Sequence, residues 1–145
     1  MTLLELIIAC SILLILSSAA LPIAKYTVIR QREAELRHDL RDIRDAIDRY
    51  KDAADRNQIR VEIGSEGYPP DLETLVKGVQ LGAATDRKIR FLRKIPVDPM
   101  MGRAEWGLRA VQDDPDSTSW GGKNVFDVYS KSTGTALDGT KYSDW

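Results

Sequence analysis

The chain of 145 residues predicts an α+β fold: one long N-terminal α-helix, its first half of membrane length, packed on a small antiparallel β-sheet domain. Three observations lead there. Residues 1–24 hold 18 apolar side chains and a single charge, Glu5. Residues 25–60 are half charged, with ten basic and eight acidic side chains, yet an apolar residue returns every few positions. Beyond residue 64 apolar residues come in short runs broken by Gly and Pro, the punctuation of short elements and turns.

Composition excludes several classes at once. Lys plus Arg number 21 against 22 Asp plus Glu, so no overall charge draws the chain to nucleic acid. One cysteine, Cys10, and one histidine, His38, leave no internal disulfide framework and no Cys/His zinc site within a single chain.

At ~1.5 Å per residue, about 20 apolar residues cross a ~30 Å hydrocarbon layer, so residues 1–24 are long enough to span a membrane as a helix. The segment opens without a basic side chain, unlike a cleavable secretory signal, although Ser17, Ser18, Ala19 and Ala20 imitate a cleavage region. Retention as an anchor is the expectation. Pro22 removes one backbone hydrogen bond and crowds the preceding turn, so the helix is expected to kink or locally unwind over residues 18–22.

The charged stretch that follows is still helical. Ile29, Leu36, Leu40, Ile43, Ile47 and Tyr50 recur at steps of 7, 4, 3, 4 and 3, one stripe of an α-helix. Glu33 with Arg37, Arg41 with Asp45, Arg44 with Asp48, Asp45 with Arg49 and Asp52 with Arg56 stand four apart, each pair adding ~0.2–0.5 kcal/mol to a helix. No Pro or Gly interrupts residues 23–63. The chain thus divides into a membrane-length helix over 1–24, its amphipathic continuation over 25–63 and a small α+β domain over 64–145.

In that domain Gly64, Gly67, Pro69 and Pro70 precede a short helix over residues 70–77, with Asp71 and Glu73 in its first turn, where the helix dipole favours acids. Residues 78–85 read as a flexible stretch. A basic patch follows, Arg87, Lys88, Arg90, Arg93 and Lys94, interleaved with Ile89, Phe91, Leu92 and Ile95, as in an element that docks its apolar side and leaves its cations in water. Pro96 and Pro99 stop regular structure. Residues 106–111 and 125–130 read as strands by β-branched and aromatic content, separated by an acidic loop over 112–123, and a short third strand is expected around 135–137.

The search for chemistry returns mostly negatives. Gly122-Lys123 lacks both the following Ser or Thr and the preceding glycine of a phosphate loop, and no Gly-x-Gly-x-x-Gly occurs. His38 stands beside Asp39 and near Asp42, the setting of a solvated salt-bridging histidine. Asp113, Asp114 and Asp116 crowd the long loop, and Ser130, Thr133, Asp138 and Asp144 punctuate the tail. Calcium takes six to eight oxygens from such groups, but neither cluster has the EF-hand spacing.

Glu5 is the most diagnostic residue. A carboxylate in a membrane costs up to ~2.5–3.5 kcal/mol at a helix centre, less near an end, and such a residue usually has a partner. No basic side chain precedes Lys25. If the chain begins at Met1, the obvious cation is the amine of residue 1, its own or that of an adjacent copy, where it would set the register between neighbours.

Met1-Thr2-Leu3-Leu4-Glu5-Leu6-Ile7-Ile8 followed by Pro22 resembles the mature N-terminus of the type IV filament superfamily. Gly67-Tyr68-Pro69, Leu72-Glu73-Thr74-Leu75, the run Phe91-Leu92-Arg93-Lys94-Ile95-Pro96-Val97-Asp98-Pro99, Phe126-Asp127-Val128-Tyr129-Ser130 and Trp145 resemble the major (G-type) pseudopilins of type II secretion, over nearly the whole chain. The usual first residue of the superfamily is phenylalanine; here it is Met1.

The resemblance implies a type IV pilin-like fold and a non-enzymatic subunit of a helical pseudopilus driving protein export. Met1, Glu5 and Pro22 would be its assembly residues. A prepilin peptidase would remove a short leader before N-methylation of the new first residue. Partners would be identical subunits, minor pseudopilins, an inner-membrane assembly platform and the membrane, with no nucleic acid. The anchor would lie in the bacterial inner membrane and the globular domain in the periplasm. Lys25, Arg30 and Arg32 would by charge bias put the far end of the anchor in the cytoplasm; a removed basic leader would reverse that balance. The resemblance also implies calcium, held by Asp138 first and Asp144 second with Ser130 and Thr133. Lys131-Ser132-Thr133-Gly134 stands where relatives commonly have Gly-x-Asp-Gly, and Lys131, paired with Asp138 or Asp144, would be the alternative to the ion. Alternative functions are the major pilin of a type IV pilus or related surface filament, and a membrane-anchored periplasmic enzyme or binding domain.

Overall fold

The structure, a computed structural model, describes residues 1–83 and 86–145. Helix α1 runs over Leu3–Asp55, 53 residues or about 80 Å at ~1.5 Å per residue, with Pro22 inside it. The unwound stretch expected at residues 18–22 does not occur in the single chain. Pro22 deprives the Ser18 carbonyl of its usual donor, but the good helix formers Ala19, Ala20 and Leu21 carry the helix through that one lost bond.

The other end departs from expectation, for α1 stops at Asp55 instead of continuing to residue 63. Asn57 adopts φ +55, and the N–H groups of Asn57 and Gln58 donate to the carbonyls of Ala54 and Ala53 at 3.0 and 2.9 Å. This crossed pair closes a Schellman cap. Asparagine tolerates the left-handed conformation better than other residues with a side chain, so Asn57 ends the helix without Gly or Pro.

Leu36, Leu40, Ile43, Ala46, Ile47, Tyr50 and Ala53 are buried along the docked half of α1. This is the stripe read from the periodicity, with two alanines added; Ile29, two turns earlier, is only half-buried. The stripe joins Leu72, Leu75, Phe91, Trp106, Val125, Val128 and Tyr142 in one core, where Tyr50 meets Phe91 edge-on with ring centroids 5.4 Å apart. Burying each large apolar side chain contributes ~1.5–3 kcal/mol, so this stripe and not helix propensity fixes the domain to the helix.

Helix α2 spans Leu72–Lys77, two residues shorter than expected at its start. Asp71 is its N-cap: Oδ1 accepts from the Thr74 N–H and hydroxyl, both at 2.7 Å, so Pro70 and Asp71 lie outside the helix. Gly78 ends it at φ +82, and a Cβ there would stand 2.7 Å from the Ile89 carbonyl oxygen. Strand β1, Val79–Gln80, then pairs antiparallel with β2, Lys88–Ile89. Part of the stretch expected to be flexible is thus a strand; its residues Ala84 and Thr85 lie outside the described residues. The basic segment docks as expected. Phe91 is buried, the N–H groups of Phe91 and Leu92 both donate to the Leu75 carbonyl at 3.0 Å, and Arg87, Lys88, Arg90, Arg93 and Lys94 are exposed.

A second antiparallel pair, β3 (Trp106–Arg109) and β4 (Asp127–Ser130), packs against α1 in the register Trp106 to Ser130 and Leu108 to Val128. Both strands are shorter than expected because flanking side chains and loops take their hydrogen bonds. Asp113 accepts the Ala110 N–H, Asn124 accepts the Val111 N–H, and the Val125 N–H donates to the Pro69 carbonyl. Gly107 faces Tyr129 across the ladder, and a Cβ at Gly107 would lie 2.2 Å from the ring, which leaves room only for glycine. The expected third strand is reduced to a single bridge between Thr135 and Lys141, followed by a 3₁₀ turn over Tyr142–Asp144.

Candidate functional site

Every residue from 1 to 28 is exposed. The same continuous helix that is buried in the domain from Leu36 onward therefore projects an apolar half with nothing packed on it among the described residues. Among the described residues it is the one helix long and apolar enough to cross a membrane. Three of its hydroxyls are satisfied from within: Ser11 donates to the Ile7 carbonyl at 2.7 Å, Ser18 to Ile15 at 2.8 Å and Thr27 to Ile23 at 3.0 Å. Such back-bonding lets hydroxyl-bearing residues sit in an apolar surrounding without free donors.

The start of α1 is a cap that pattern reading missed. Thr2 is the N-cap, its Oγ1 accepting the Glu5 N–H at 3.3 Å, and Thr2-x-x-Glu5 has the spacing of a capping box. Among the described residues the Glu5 side chain has neither an ion-pair nor a hydrogen-bond partner, and Met1 is exposed. Glu5 thus stands in the first turn, where the helix dipole favours an acid by ~0.3–1 kcal/mol, with its oxygens still free to accept.

A second constellation joins α1 to the C-terminal tail. Arg44 Nε donates to Asp127 Oδ1 at 2.7 Å, and its Nη2 to the carbonyls of Val128 and Trp145 at 3.1 and 2.7 Å. Arg37 Nη2 lies 3.4 Å from Asp138 Oδ2, while its guanidinium stacks 4.1 Å from the centroid of the Trp145 ring. Glu33 Oε1 accepts the Leu137 N–H at 2.8 Å and the Tyr142 hydroxyl at 3.0 Å. Spaced four and seven apart, Glu33, Arg37 and Arg44 share one face of the helix. Hydrogen bonds from the Thr140 hydroxyl and N–H, with Arg37 beyond them, hold the Asp138 carboxyl below its usual range; burial and then Glu33 push the Tyr142 phenol up.

These partners were not legible in the spacing. Of the five i,i+4 pairs expected on α1, only Asp52 with Arg56 forms an ion pair among the described residues, at 3.0 Å. Glu33, Arg37 and Arg44 are engaged by the tail and β4 instead, and Arg49 reaches the Phe91 carbonyl at 2.6 Å. Tertiary partners that satisfy a charge more fully outcompete a pair worth only a few tenths of a kcal/mol, roughly 0.2–0.5. His38 meets the expectation for it, 3.4 Å from Asp42 on the exposed face.

The tail residues expected to hold calcium are placed apart in their bonding. Ser130 is fully buried and donates to Asp98 Oδ2 at 2.5 Å. Asp138 Oδ1 already accepts from the Thr140 N–H and hydroxyl at 3.0 and 2.6 Å, and among the described residues Asp144 accepts only from the neighbouring Ser143 hydroxyl. Thr133 is exposed. Among the described residues no three His, Cys, Asp or Glu side chains converge on a point that would hold a metal ion. With Arg37 beside Asp138, this donor set does not fit a divalent cation. Nor does Lys131 pair with Asp138 or Asp144 among the described residues.

Two further acidic residues belong to the scaffold, one buried and one at the surface. Asp98, within the Pro-Val-Asp-Pro run, is fully buried and accepts the Met100 N–H at 2.8 Å as well as the Ser130 hydroxyl. It ties the proline loop to β4. Asp113, in the acidic loop, accepts the N–H groups of Ala110 and Gly121 at 2.8 and 2.9 Å, which hold its carboxyl below the usual range. That loop is fastened over β4 by the Tyr129 hydroxyl, which donates to the Thr118 carbonyl, and by Arg109, which donates to the Ser117 carbonyl.

No family model, no curated protein and no solved structure matches the chain. The architecture itself, a long N-terminal apolar helix packed on small antiparallel sheets, is consistent with a pilin-like fold.

Proposed function

We propose that this chain is a non-enzymatic structural subunit of a helical filament, the pseudopilus of a bacterial type II secretion system. It would wait in the inner membrane with its globular domain in the periplasm, then be assembled through α1 to drive protein export. Assembly would draw on identical subunits, minor pseudopilins and the inner-membrane platform, and on a prepilin peptidase acting on the precursor. One observation carries the reading: a single continuous helix is buried in the domain over its second half and bare and apolar over its first. A rod of that kind offers lateral faces that many copies can bury together, and head-to-tail contacts that do not close produce an open helical filament.

Glu5 is the residue of this half most costly to leave unpartnered, and on this reading an adjacent copy supplies its cation. Glu5→Ala should therefore leave the domain folded and the chain in membranes but stop filament growth. The test is electron microscopy of filaments sheared or extracted from cells expressing the chain with its secretion machinery. It should be paired with mass spectrometry of the N-terminus for a processed, N-methylated residue. Filaments of normal length and yield from Glu5→Ala, or a wild-type chain that stays monomeric in the membrane, would defeat the proposal.

A further inference from the structure

We infer that fixed protein charges hold the C-terminal tail to α1 without a metal, with the Arg37 guanidinium paired to the Asp138 carboxylate that the resemblance would give to a calcium ion. This holds whether or not the chain builds a filament. A cation at such a tail would act by gathering oxygens from segments that would otherwise diverge. Here three side chains of one helix face hold those segments instead, two guanidinium groups by their oxygens and one carboxylate by their donors.

Arg37 reaches Asp138, 101 residues along the chain, with its edge, and covers the Trp145 indole with its face. Glu33 accepts from the Leu137 backbone and from the Tyr142 hydroxyl, and Arg44 takes the Trp145 carbonyl. The tail closes on itself as well. Trp145 Nε1 donates to Thr140 Oγ1 at 2.7 Å, and Tyr142 and Trp145 meet edge-on with centroids 5.2 Å apart.

The alternative would need six to eight oxygens around one point. Asp138 Oδ1 is engaged twice by Thr140, Oδ2 faces Arg37, and the Ser130 hydroxyl is committed to Asp98 inside the core. A divalent ion at Asp138 would also meet the positive charge of Arg37 at close range. Arginine suits this position better than lysine because its planar fork can bond a carboxylate while its face stacks on an aromatic ring.

The experiment is amide hydrogen exchange of the full chain in detergent micelles, read at Leu137 and Tyr142, with calcium chloride in excess or with EDTA. Protection should be the same in both solutions. Arg37→Ala should lower it about tenfold in both, and Arg37→Lys, which keeps the charge and loses the stack, should fall between. Raising the salt should weaken protection in the wild type, since both Arg37 and Asp138 are half-exposed. Amide protection at Val125, fully buried with its N–H bonded to the Pro69 carbonyl, reports that the domain stays folded in each variant. Greater protection in calcium than in EDTA, abolished by Asp138→Asn, would overturn the inference, and so would unchanged protection in Arg37→Ala.

Discussion

Arg44 is the most connected charge on α1, and its replacement measures what joins the helix to β4 and the tail. Its guanidinium makes three bonds of 3.1 Å or less, to the Asp127 carboxylate and to the carbonyls of Val128 and Trp145. Hydrogen bonds to a charged group contribute ~1.5–3 kcal/mol each when well buried. The Arg44 side chain is 36% exposed and that of Asp127 28%, so water screens part of this. Asp127 also keeps a second, longer contact with Arg109 at 3.9 Å. Arg44→Met, which preserves the aliphatic stem, is therefore expected to cost about 2–3 kcal/mol in total. For a chain of this size that corresponds to a fall in Tm of about 5–10 °C. Arg44→Lys keeps the charge but lacks the fork, so its cost should be about half as large. Thermal unfolding of the full chain in detergent, followed by near-ultraviolet circular dichroism, reads both. A Tm for Arg44→Met within about 2 °C of wild type would refute the assignment of these bonds as the main polar link.

Gly107→Ala should destabilise by about 1–3 kcal/mol, since the new methyl would displace the Tyr129 ring, which also carries the Arg109 guanidinium 4.1 Å from its centroid. Urea unfolding gives the value, and a neutral result would mean that the ring moves freely. Acid should release the long loop through Asp113. Its folded pKa is depressed below the ordinary 3.8 by the N–H groups of Ala110 and Gly121, so its contribution is complete above that ordinary value and is lost as pH falls through the folded one. Amide exchange at Ala110 and Gly121, followed from neutral pH down through the carboxylate range, should show that loss in the wild type. It should be absent from Asp113→Asn, and parallel profiles for the two proteins would contradict the account.

The long helix and its buried stripe were legible because period and composition agree over many residues, and a wrong reading would have needed many coincidences. Leu36, Leu40, Ile43, Ile47 and Tyr50 are buried as the spacing demanded. The ends of elements were less legible, and each miss has a local cause. Asn57 stops α1 through a backbone conformation that few other residues accept, and Asp71 sits before α2 because its carboxylate caps it. Strands β3 and β4 are trimmed by Asp113, Asn124 and Pro69, none of which marks a strand end by type alone. The tail contacts could not be read at all. Glu33 and Arg37 satisfy the i,i+4 rule in sequence, and only the fold shows that both turn toward residues about a hundred positions away. The same fold commits Ser130 to Asp98, a buried pairing with no spacing signature.

On the filament reading, the apolar half of α1 must pass from lipid to the company of other helices, and its apolar side chains do little to favour the move. Hydrocarbon tails and packed aliphatic side chains are equally dry, so Leu and Ile along residues 3–24 gain no hydrophobic free energy by the exchange; what they gain is closer packing. The direction has to come from groups that lipid leaves unsatisfied. Two are present. The Ser18 carbonyl lacks its helical donor because Pro22 has no N–H, and the Glu5 carboxylate is without a partner among the described residues. Lipid penalises Glu5 by up to ~2.5–3.5 kcal/mol at mid-depth and less near the helix end, and the helix dipole offsets only ~0.3–1 kcal/mol of that. A neighbour that supplies a cation removes the remainder, and it does so only in the register that brings the two charges together. Eighteen apolar residues make the segment able to enter either environment, while on the proposed reading one acid would decide between them and set the alignment.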